Sequence, residues 1–327
     1  MKSIVVGSEA EGWPLRWQEV PEPVLRSGEV MVETHAAALN RADLLQRQGR
    51  YPPPSGESQI LGLDIAGIIT GLGEDVAGWR VGDRVCALVS GGGYAQRVSV
   101  PQEMLMPLAE HWTYEQGAAI PEVFLTAFVN IFMEAGYQKG ETVLMHGGAS
   151  GVGMAAIQLV RAAGGEMLVT VGTAAKEALC RSLGAALAVN YTQEDFVQRV
   201  LEHTDGRGVD IILDIVGGDY LERNLSLLKF KGRMVHIASL GGRWGQLDLG
   251  RLMSKRLRLI GSQLRRRPLE EKAAIKDAFI ARFWPLLQEG TIEPVIDSLY
   301  PIERAGEAHQ RMAENRNMGK IVLQIAT

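Results

Sequence analysis

The sequence predicts an α/β protein in two parts, a mainly antiparallel β-barrel followed by a doubly wound parallel sheet. Three observations carry this. Short β-branched or alternating runs, broken by Gly, Pro and Asp, fill residues 1–122. Wholly apolar strands then alternate with amphipathic helices, the pattern of a parallel sheet covered on both faces. At the start of that alternation lies "VLMHGGASGVGMAAIQLV", residues 143–160, where an apolar run meets a glycine cluster and a helical repeat begins at once. A length of 327 residues suits two domains.

Each element follows from its local pattern. "SIVV", "LRWQEV", "EVMVETHAAAL", "ILGLDIAGIITGLG", "DRVCALVS" and "YAQRVSV" read as the barrel strands. "AAIPEVFLTAFVNIFME", residues 118–134, reads as a helix leading into the second part. "TVLMHG" is a strand, and from Gly151 the apolar residues Val152, Ala155, Ala156, Leu159 and Val160 share one helix face. "EMLVTVG" and "AAKEALCRSLGA" repeat the pair, as do "LAVNY" and "TQEDFVQRVLEHTDG". "VDIILDIVGG", "YLERNLSLLKF", "GRMVHIASLGG" and "RLRLIGSQL" continue the alternation, with the last strand expected at a sheet edge. "EEKAAIKDAFIARFWPLLQEG" is a long amphipathic helix; "IEPVIDSLYP", a helix over 302–318 and "KIVLQIA" return to short elements that can rejoin the barrel.

Composition narrows the function classes. The chain is 46% hydrophobic and 22% charged, as in ordinary soluble proteins. A net charge of −4 gives no general electrostatic reason to hold nucleic acid or an anionic membrane. Two cysteines, Cys86 and Cys180, rule out a disulfide framework and a four-cysteine zinc site. The N-terminus lacks the form of a signal peptide, and no segment offers the roughly 18–20 uninterrupted apolar residues of a membrane span. A cytoplasmic setting is therefore expected.

Strand, glycine loop and helix in that order form a phosphate cradle. Glycines admit a pyrophosphate close to the backbone, and the N–H groups of Ser150, Gly151 and Val152 are expected to face it. The spelling departs from G-x-G-x-x-G, because Ser150 stands where the second glycine would be. A tight strand–helix turn is the plainer reading, but the long βαβ rhythm around it favours a dinucleotide. An acid about 20 residues beyond the glycines would hold a ribose 2′-OH. That region offers Gly172, Thr173 and Lys176 instead, and Glu177 is already inside the helix. A hydroxyl and an ammonium suit a 2′-phosphate, hence NADPH, although a lysine at such a place is commonly just a solvated helix residue.

Other chemistries find little support. His35 has no second His or Cys at zinc-ligand spacing, and His146 is expected to be a strand-end residue. No nucleophile elbow or Cys–His signature is present, so the chemistry must come mostly from a cofactor. "ALNRADLLQRQGRYPPPSG", residues 38–56, offers Asn40, Asp43, Gln46 and Tyr51. It reads equally as a pocket wall or as a surface loop with a helix-capping Asn or Asp. The basic run "KRLRLIGSQLRRR", 255–267, is expected to be an exposed strand edge and loop, and nucleic-acid binding is not expected from it.

"LNRADLLQRQGRYPPP", "LGLDIAG", "AAIPEVFLTAF", "HGGASGVGMAAIQL", "NYTQEDF" and the terminal "GKIVL" together resemble the zinc-free, zeta-crystallin-like quinone oxidoreductases, members of the medium-chain dehydrogenase/reductase superfamily. The resemblance covers essentially the whole chain. It implies a chaperonin-10-like catalytic domain, residues 1–122 and 292–327, and a Rossmann domain, residues 123–291, with NADPH in the cleft between them. It further implies that Gly151, Val152 and Gly153 hold the pyrophosphate, and that Gly172, Thr173, Lys176 and Tyr191 surround the adenosine phosphate. Asn40, Thr126, Ser239, Leu240, Ser262 and Gln263 would lie toward the nicotinamide, and Lys320 would be a further cofactor contact. Tyr51 matches an active-site tyrosine of the family, whereas Leu45 replaces a second aromatic found in some members. The zinc enzymes' "GHE" corresponds to Gly62-Leu63-Asp64, so the histidine is gone.

The expected activity is NADPH-dependent reduction of a small quinone, with hydride from nicotinamide C4, Asn40 and Tyr51 stabilising the developing phenolate, and a final proton from solvent. A homodimer is expected as well, through the apolar edge strand and by resemblance to the family. Two other readings stay open: a reductase of α,β-unsaturated carbonyls, and a cofactor-binding protein with a structural or RNA-binding duty and little turnover.

Overall fold

The computed structural model describes residues 1–326. By internal contacts the chain divides into two compact units. The first is Met1–Leu125, Arg265–Gln288 and Glu293–Thr327; the second is Thr126–Leu264 and Glu289–Ile292.

The first unit is built on a seven-stranded sheet. Its central strand, Glu29–Ala38, buries Val30, Val32, Thr34 and Ala36 and leaves the residues between them less covered, as the period-2 alternation of the sequence requires. It pairs antiparallel with Asp64–Leu72, Arg97–Pro101 and Lys320–Gln324. Arg84–Leu88 and Leu105–Pro107 extend the sheet on one side, and Ile296–Pro301 closes the other in the one parallel pairing. The register sets Ala38 opposite Asp64 and also opposite Val322, so the ends of three strands converge where Asn40 follows. The helix Leu269–Gln288 falls by contact in this unit. It buries Ile275, Phe279, Phe283, Trp284 and Leu287, with Trp284 edge-on to Trp112 at 5.4 Å. Burying each such side chain contributes roughly 1.5–3 kcal/mol, which together outweighs the cost of about 3 kcal/mol for Pro285 inside the helix.

The second unit is a six-stranded, all-parallel sheet. Numbered in chain order, its strands are Thr142–His146, Glu166–Val171, Leu187–Asn190, Val209–Asp214, Leu228–His236 and Arg258–Gly261, arranged 3-2-1-4-5-6. That is the doubly wound order, whose switch point lies between the first and fourth strands. Thr142–His146 is buried throughout, which accounts for its continuous apolar spelling. The helices that alternate with the strands cover the sheet, and Phe196, Val200 and Leu225 pack on Leu144, Leu168 and Ile212.

The fold class agrees with the sequence, while several boundaries do not. Residues 118–134 are not one helix. Tyr114–Ala118 ends first, Pro121 opens a new helix at a position that needs no N–H, and the last turn widens to a π-helix over Val129–Glu134. The stretch Tyr114–Glu134 holds an 18-residue window with the length and mean hydropathy (1.3) of a membrane span, which the sequence reading missed; 78% of that window is buried within the chain. The helix expected over 302–318 is only Ala305–Ala313, after a 3₁₀ turn, and Asn315 just beyond it takes a left-handed φ of 53°. In the segment 38–56 a short helix, Arg41–Arg47, follows Asn40, which caps it as the loop reading allowed.

Candidate active site

In the second unit the first strand ends at His146 and the chain turns through Gly147 at φ 74°. Two later glycines are required by close packing. A Cβ on Gly148 would lie 2.5 Å from Val169, and one on Gly153 would lie 2.4 Å from the Gly148 carbonyl oxygen. Ser150 takes the missing glycine's place as the N-cap of Gly151–Ala162, its Oγ accepting from Gly153 N–H at 3.1 Å. The Ser150 N–H was expected to face a phosphate, but it donates to the Gly147 carbonyl at 2.9 Å. Gly151 and Val152 carry the first N–H groups of the helix, which have no intrahelical acceptor and sit at its positive end. This cradle fits a dinucleotide pyrophosphate.

The second strand runs into Gly172 and Thr173, the N-cap of Ala174–Ser182, whose hydroxyl accepts from Lys176 N–H at 3.3 Å. A Cβ on Gly172 would stand 2.9 Å from the Tyr191 hydroxyl, so Tyr191, 49% exposed, leans over this turn. Ser239 and Leu240 follow the fifth strand, and Ser262 and Gln263 follow the sixth. In a parallel sheet these segments, with Ser150–Gly153, all occupy the carboxyl edge where the doubly wound fold binds ligands. Thr126, buried, lies on the helix Pro121–Phe128 and accepts at its carbonyl from Asn130 Nδ2 at 2.8 Å.

His146 is structural. Its Nδ1 meets Thr170 Oγ1 at 3.0 Å and its Nε2 meets Asn224 Oδ1 at 2.7 Å. Burial holds its pKa below the usual histidine value. Asp214, His236 and Ser239 form a chain with the connectivity of a hydrolase triad, at 3.1 and 2.9 Å. Next to Ser239, however, the N–H groups of Leu240, Gly241 and Gly242 are spent on the carbonyls of Ile215, Val216 and Ser239. Those three N–H groups are thus closed to an oxyanion, and the chain fixes the turn at 239–242.

In the first unit Asn40 is the N-cap of Arg41–Arg47, and Asp43 reaches back to the Asn40 N–H at 2.7 Å. The Asn40 amide is held elsewhere. Its Nδ2 donates to Asp64 Oδ2 at 2.9 Å and its Oδ1 accepts from Lys320 Nζ at 2.8 Å. Lys320, 3% exposed, also donates to Asp64 Oδ2 at 2.7 Å and to the Leu39 carbonyl at 2.8 Å. All three ammonium protons are thus engaged, and a cofactor contact at Lys320 requires one of them to be released. The second Nδ2 proton of Asn40 makes only a long approach, 3.4 Å, to the Ala38 carbonyl.

A second buried network backs the first. Asp43, fully buried, accepts from Gly62 N–H at 3.1 Å and from the Tyr94 hydroxyl at 3.2 Å, and that hydroxyl also meets His309 Nε2 at 3.3 Å. Burial pushes the Asp43 carboxyl up to about 6 and the His309 imidazole down to about 3. Asp43, which the sequence placed with possible pocket residues, is therefore a support for the Asn40 turn.

Tyr51 is half-buried, with the guanidinium of Arg265 5.4 Å from its ring centre and that of Arg266 at 5.9 Å. Gln46 Oε1 accepts from Arg265 Nη2 at 2.7 Å. Burial raises the Tyr51 pKa, so the phenol stays protonated and able to donate. His35, the barrel histidine, stacks on Tyr114 with ring centres 4.3 Å apart.

Two sequence families match parts of the chain: the alcohol dehydrogenase GroES-like domain over residues 26–110, and the zinc-binding dehydrogenase family over residues 183–323. The quinone oxidoreductase of Rattus norvegicus is 30% identical over 310 residues, spanning 93% of this chain and 92% of that protein. The chain belongs to the quinone oxidoreductases of the medium-chain dehydrogenase/reductase superfamily. The structure of Escherichia coli quinone oxidoreductase complexed with NADPH superposes with a TM-score of 0.84 at 29% identity, covering 99% of this chain and 98% of that one. The CurK enoyl reductase superposes equally well, TM-score 0.84, at 26% identity over 99% of each chain. The barrel unit is thus a GroES-like domain, the parallel sheet a Rossmann domain, and the protein an oxidoreductase of this family.

Proposed function

We propose that this oxidoreductase reduces small quinones with NADPH. The observation that carries the cofactor choice is the end of the second Rossmann strand, where Gly172, Thr173 and Lys176 stand and no carboxylate does. In this reading the N–H groups of Gly151 and Val152, with Gly153 and the Ser150 cap, hold the pyrophosphate. Lys176, Thr173 and Tyr191 surround the 2′-phosphate. We assign Asn40, Thr126, Ser239, Leu240, Ser262 and Gln263 to the nicotinamide on the family resemblance, with Lys320 acting through the Asn40 amide. The nicotinamide, when bound, supplies the hydride.

The chain's own residues do the rest. Tyr51 offers a flat ring and a protonated phenol to the acceptor, and Asn40 offers the Nδ2 proton that makes only the long approach to Ala38. Both stabilise negative charge that develops on the acceptor oxygen. A proton from solvent then completes the hydroquinone. The reading includes no zinc, since among the described residues no group of three or more His, Cys, Asp or Glu is placed to hold a metal, and Asp64 is engaged by Lys320. Activity should therefore persist in a chelator. Two buried free cysteines suit a reducing, cytoplasmic setting.

The likeness to an enoyl reductase favours one alternative, reduction of an α,β-unsaturated carbonyl by the same hydride geometry. Steady-state NADPH oxidation with a benzoquinone, an ortho-naphthoquinone and a 2-alkenal separates the two. The expected order places both quinones above the alkenal in kcat/KM. An alkenal well above both quinones moves the assignment to the alternative, and no oxidation with any of the three removes the enzyme reading.

A further inference from the structure

The basic run Arg265–Arg267 follows the last Rossmann strand in sequence but belongs by contact to the first unit. Arg265 is only 6% exposed, yet its guanidinium is met by uncharged acceptors alone. These are the Ser90 carbonyl at 2.6 and 2.9 Å, Gln46 Oε1 at 2.7 Å and the Tyr51 carbonyl at 3.5 Å. A buried cation is costly without a counter-charge, and among the described residues no carboxylate forms an ion pair with Arg265, although Asp43 and Glu57 favour its charge from farther away. Beside it lies a cavity of about 420 Å³.

The walls of this cavity hold five cationic side chains, Arg26, Arg265, Arg266, Arg267 and Lys272, against two carboxylates, Glu29 and Glu57. Local pairs do not remove that excess. Arg267 is tied to Glu271, while Glu29 accepts from Ser99 Oγ at 2.5 Å and from Arg26 N–H at 3.2 Å. Lys272 Nζ donates once, to Ser90 Oγ at 3.0 Å. Burial lowers the Lys272 pKa, with Glu57 opposing and Arg265 adding to the effect. Among the described residues the guanidinium of Arg266 makes no ion pair, and it rests 5.9 Å from the centre of the Tyr51 ring.

We propose that this cavity is an oxyanion-binding lobe of the acceptor site, taking a carboxylate, sulfonate or phosphate carried by the molecule whose ring lies beside Tyr51. The proposal rests on the reading of Tyr51 as an acceptor residue. An oxyanion here receives charge-assisted hydrogen bonds from Arg266 and Lys272 and supplies the directly paired anion that Arg265 lacks. Acceptors with an anionic substituent are then the preferred substrate class over neutral ones of the same ring.

The test has two arms. In the first, kcat/KM is measured with NADPH for ortho-naphthoquinone and for its sulfonate, in the wild type and in Arg266→Ala and Lys272→Met. The ratio of sulfonate to neutral quinone should fall about tenfold in each variant, the loss of one charge-assisted hydrogen bond, and should fall with added salt in the wild type. An unchanged ratio in both variants overturns the proposal. In the second arm, calorimetry follows inorganic phosphate binding to the NADPH-saturated wild type and variants. Binding weakened at least tenfold in both variants supports the lobe even if no quinone is turned over, in which case only the quinone reading falls. Phosphate bound equally by all three proteins, or bound with no advantage for the sulfonate acceptor, overturns an acceptor lobe. Arg266 is exposed, so its variant reports on the site even if Lys272→Met fails to fold.

Discussion

Replacing Lys320 by Met should be among the most damaging single changes in the first unit. Lys320 is 3% exposed and Asp64 is fully buried, so neither charge has access to water. The substitution removes three hydrogen bonds at once, to Leu39, Asn40 and Asp64. It leaves the Asp64 carboxylate with only Asn40 Nδ2 and the Glu122 N–H at 2.7 Å. Breaking a buried pair by removing one partner costs about 3–5 kcal/mol. At roughly 2–4 °C per kcal/mol for a unit of this size, the unfolding midpoint should drop by about 6–20 °C. Asp64→Asn should be destabilising too, but the double variant removes both charges together. Its loss should fall short of the sum of the single losses by about 1–3 kcal/mol, the coupling expected of contacting groups. Thermal unfolding of the four proteins, at one pH and salt, measures this. A drop under about 2 °C in Lys320→Met, or losses that simply add, would show that the pair is not the keystone of the Asn40 turn.

Four further outcomes follow from the same geometry. Lys176→Ala should weaken NADPH about tenfold or more, the worth of one charge-assisted contact, while NADH changes little; equal losses would remove the 2′-phosphate assignment. Tyr51→Ala should raise KM for quinone and leave NADPH affinity nearly unchanged, and a matching loss of NADPH affinity would place Tyr51 on the wrong side. His309, held at about 3 in the folded chain, gives stability that is present above pH 6.5 and lost as pH falls, whereas Asp43, raised to about 6, gives stability that is lost as pH rises through 6. The two oppose each other between pH 4 and 6, so His309→Gln should gain on the wild type by about 1 kcal/mol per pH unit as pH falls from 6 to 4, and a constant gap would refute the buried neutral imidazole. Light scattering should give twice the 35.6 kDa chain mass, through the sheet-edge strand Arg258–Gly261 and the exposed Trp244 and Met253 before it; the single-chain mass at micromolar concentration would count against that surface.

What the sequence made legible was whatever has a local period. The apolar strands of the parallel sheet, the glycine loop and the helix after it were all readable, because each is specified by neighbours in the chain. Helix ends were less so. Pro121 broke a helix whose apolar pattern ran on past it, and the final helix stopped at Ala313, short of the expected 318, where the polar residues 314–317 begin. The support of the candidate site was the least legible part, since it joins residues far apart in sequence. Asp64 was noticed only as the neighbour of Leu63, where the zinc enzymes' histidine is missing, and Lys320 only through family resemblance. Each is nevertheless a lone charge inside an otherwise apolar strand, "LGLDIAG" and "GKIVL", and opposite lone charges of that kind are the signal that could have paired them. Arg265 was hidden inside a basic run that looked like a solvated edge. Only folding showed it to be buried against Ser90, Gln46 and Tyr51.

The most direct test of the central reading is a single turnover under anaerobic conditions. The NADPH-loaded protein is mixed with one equivalent of a small quinone, and absorbance of the reduced nicotinamide and formation of hydroquinone are followed together. The reading predicts loss of one NADPH for each hydroquinone formed, faster than the uncatalysed reaction and slowed in Tyr51→Ala. NADPH that stays reduced in the presence of quinone, but is consumed when a 2-alkenal is added instead, would contradict it.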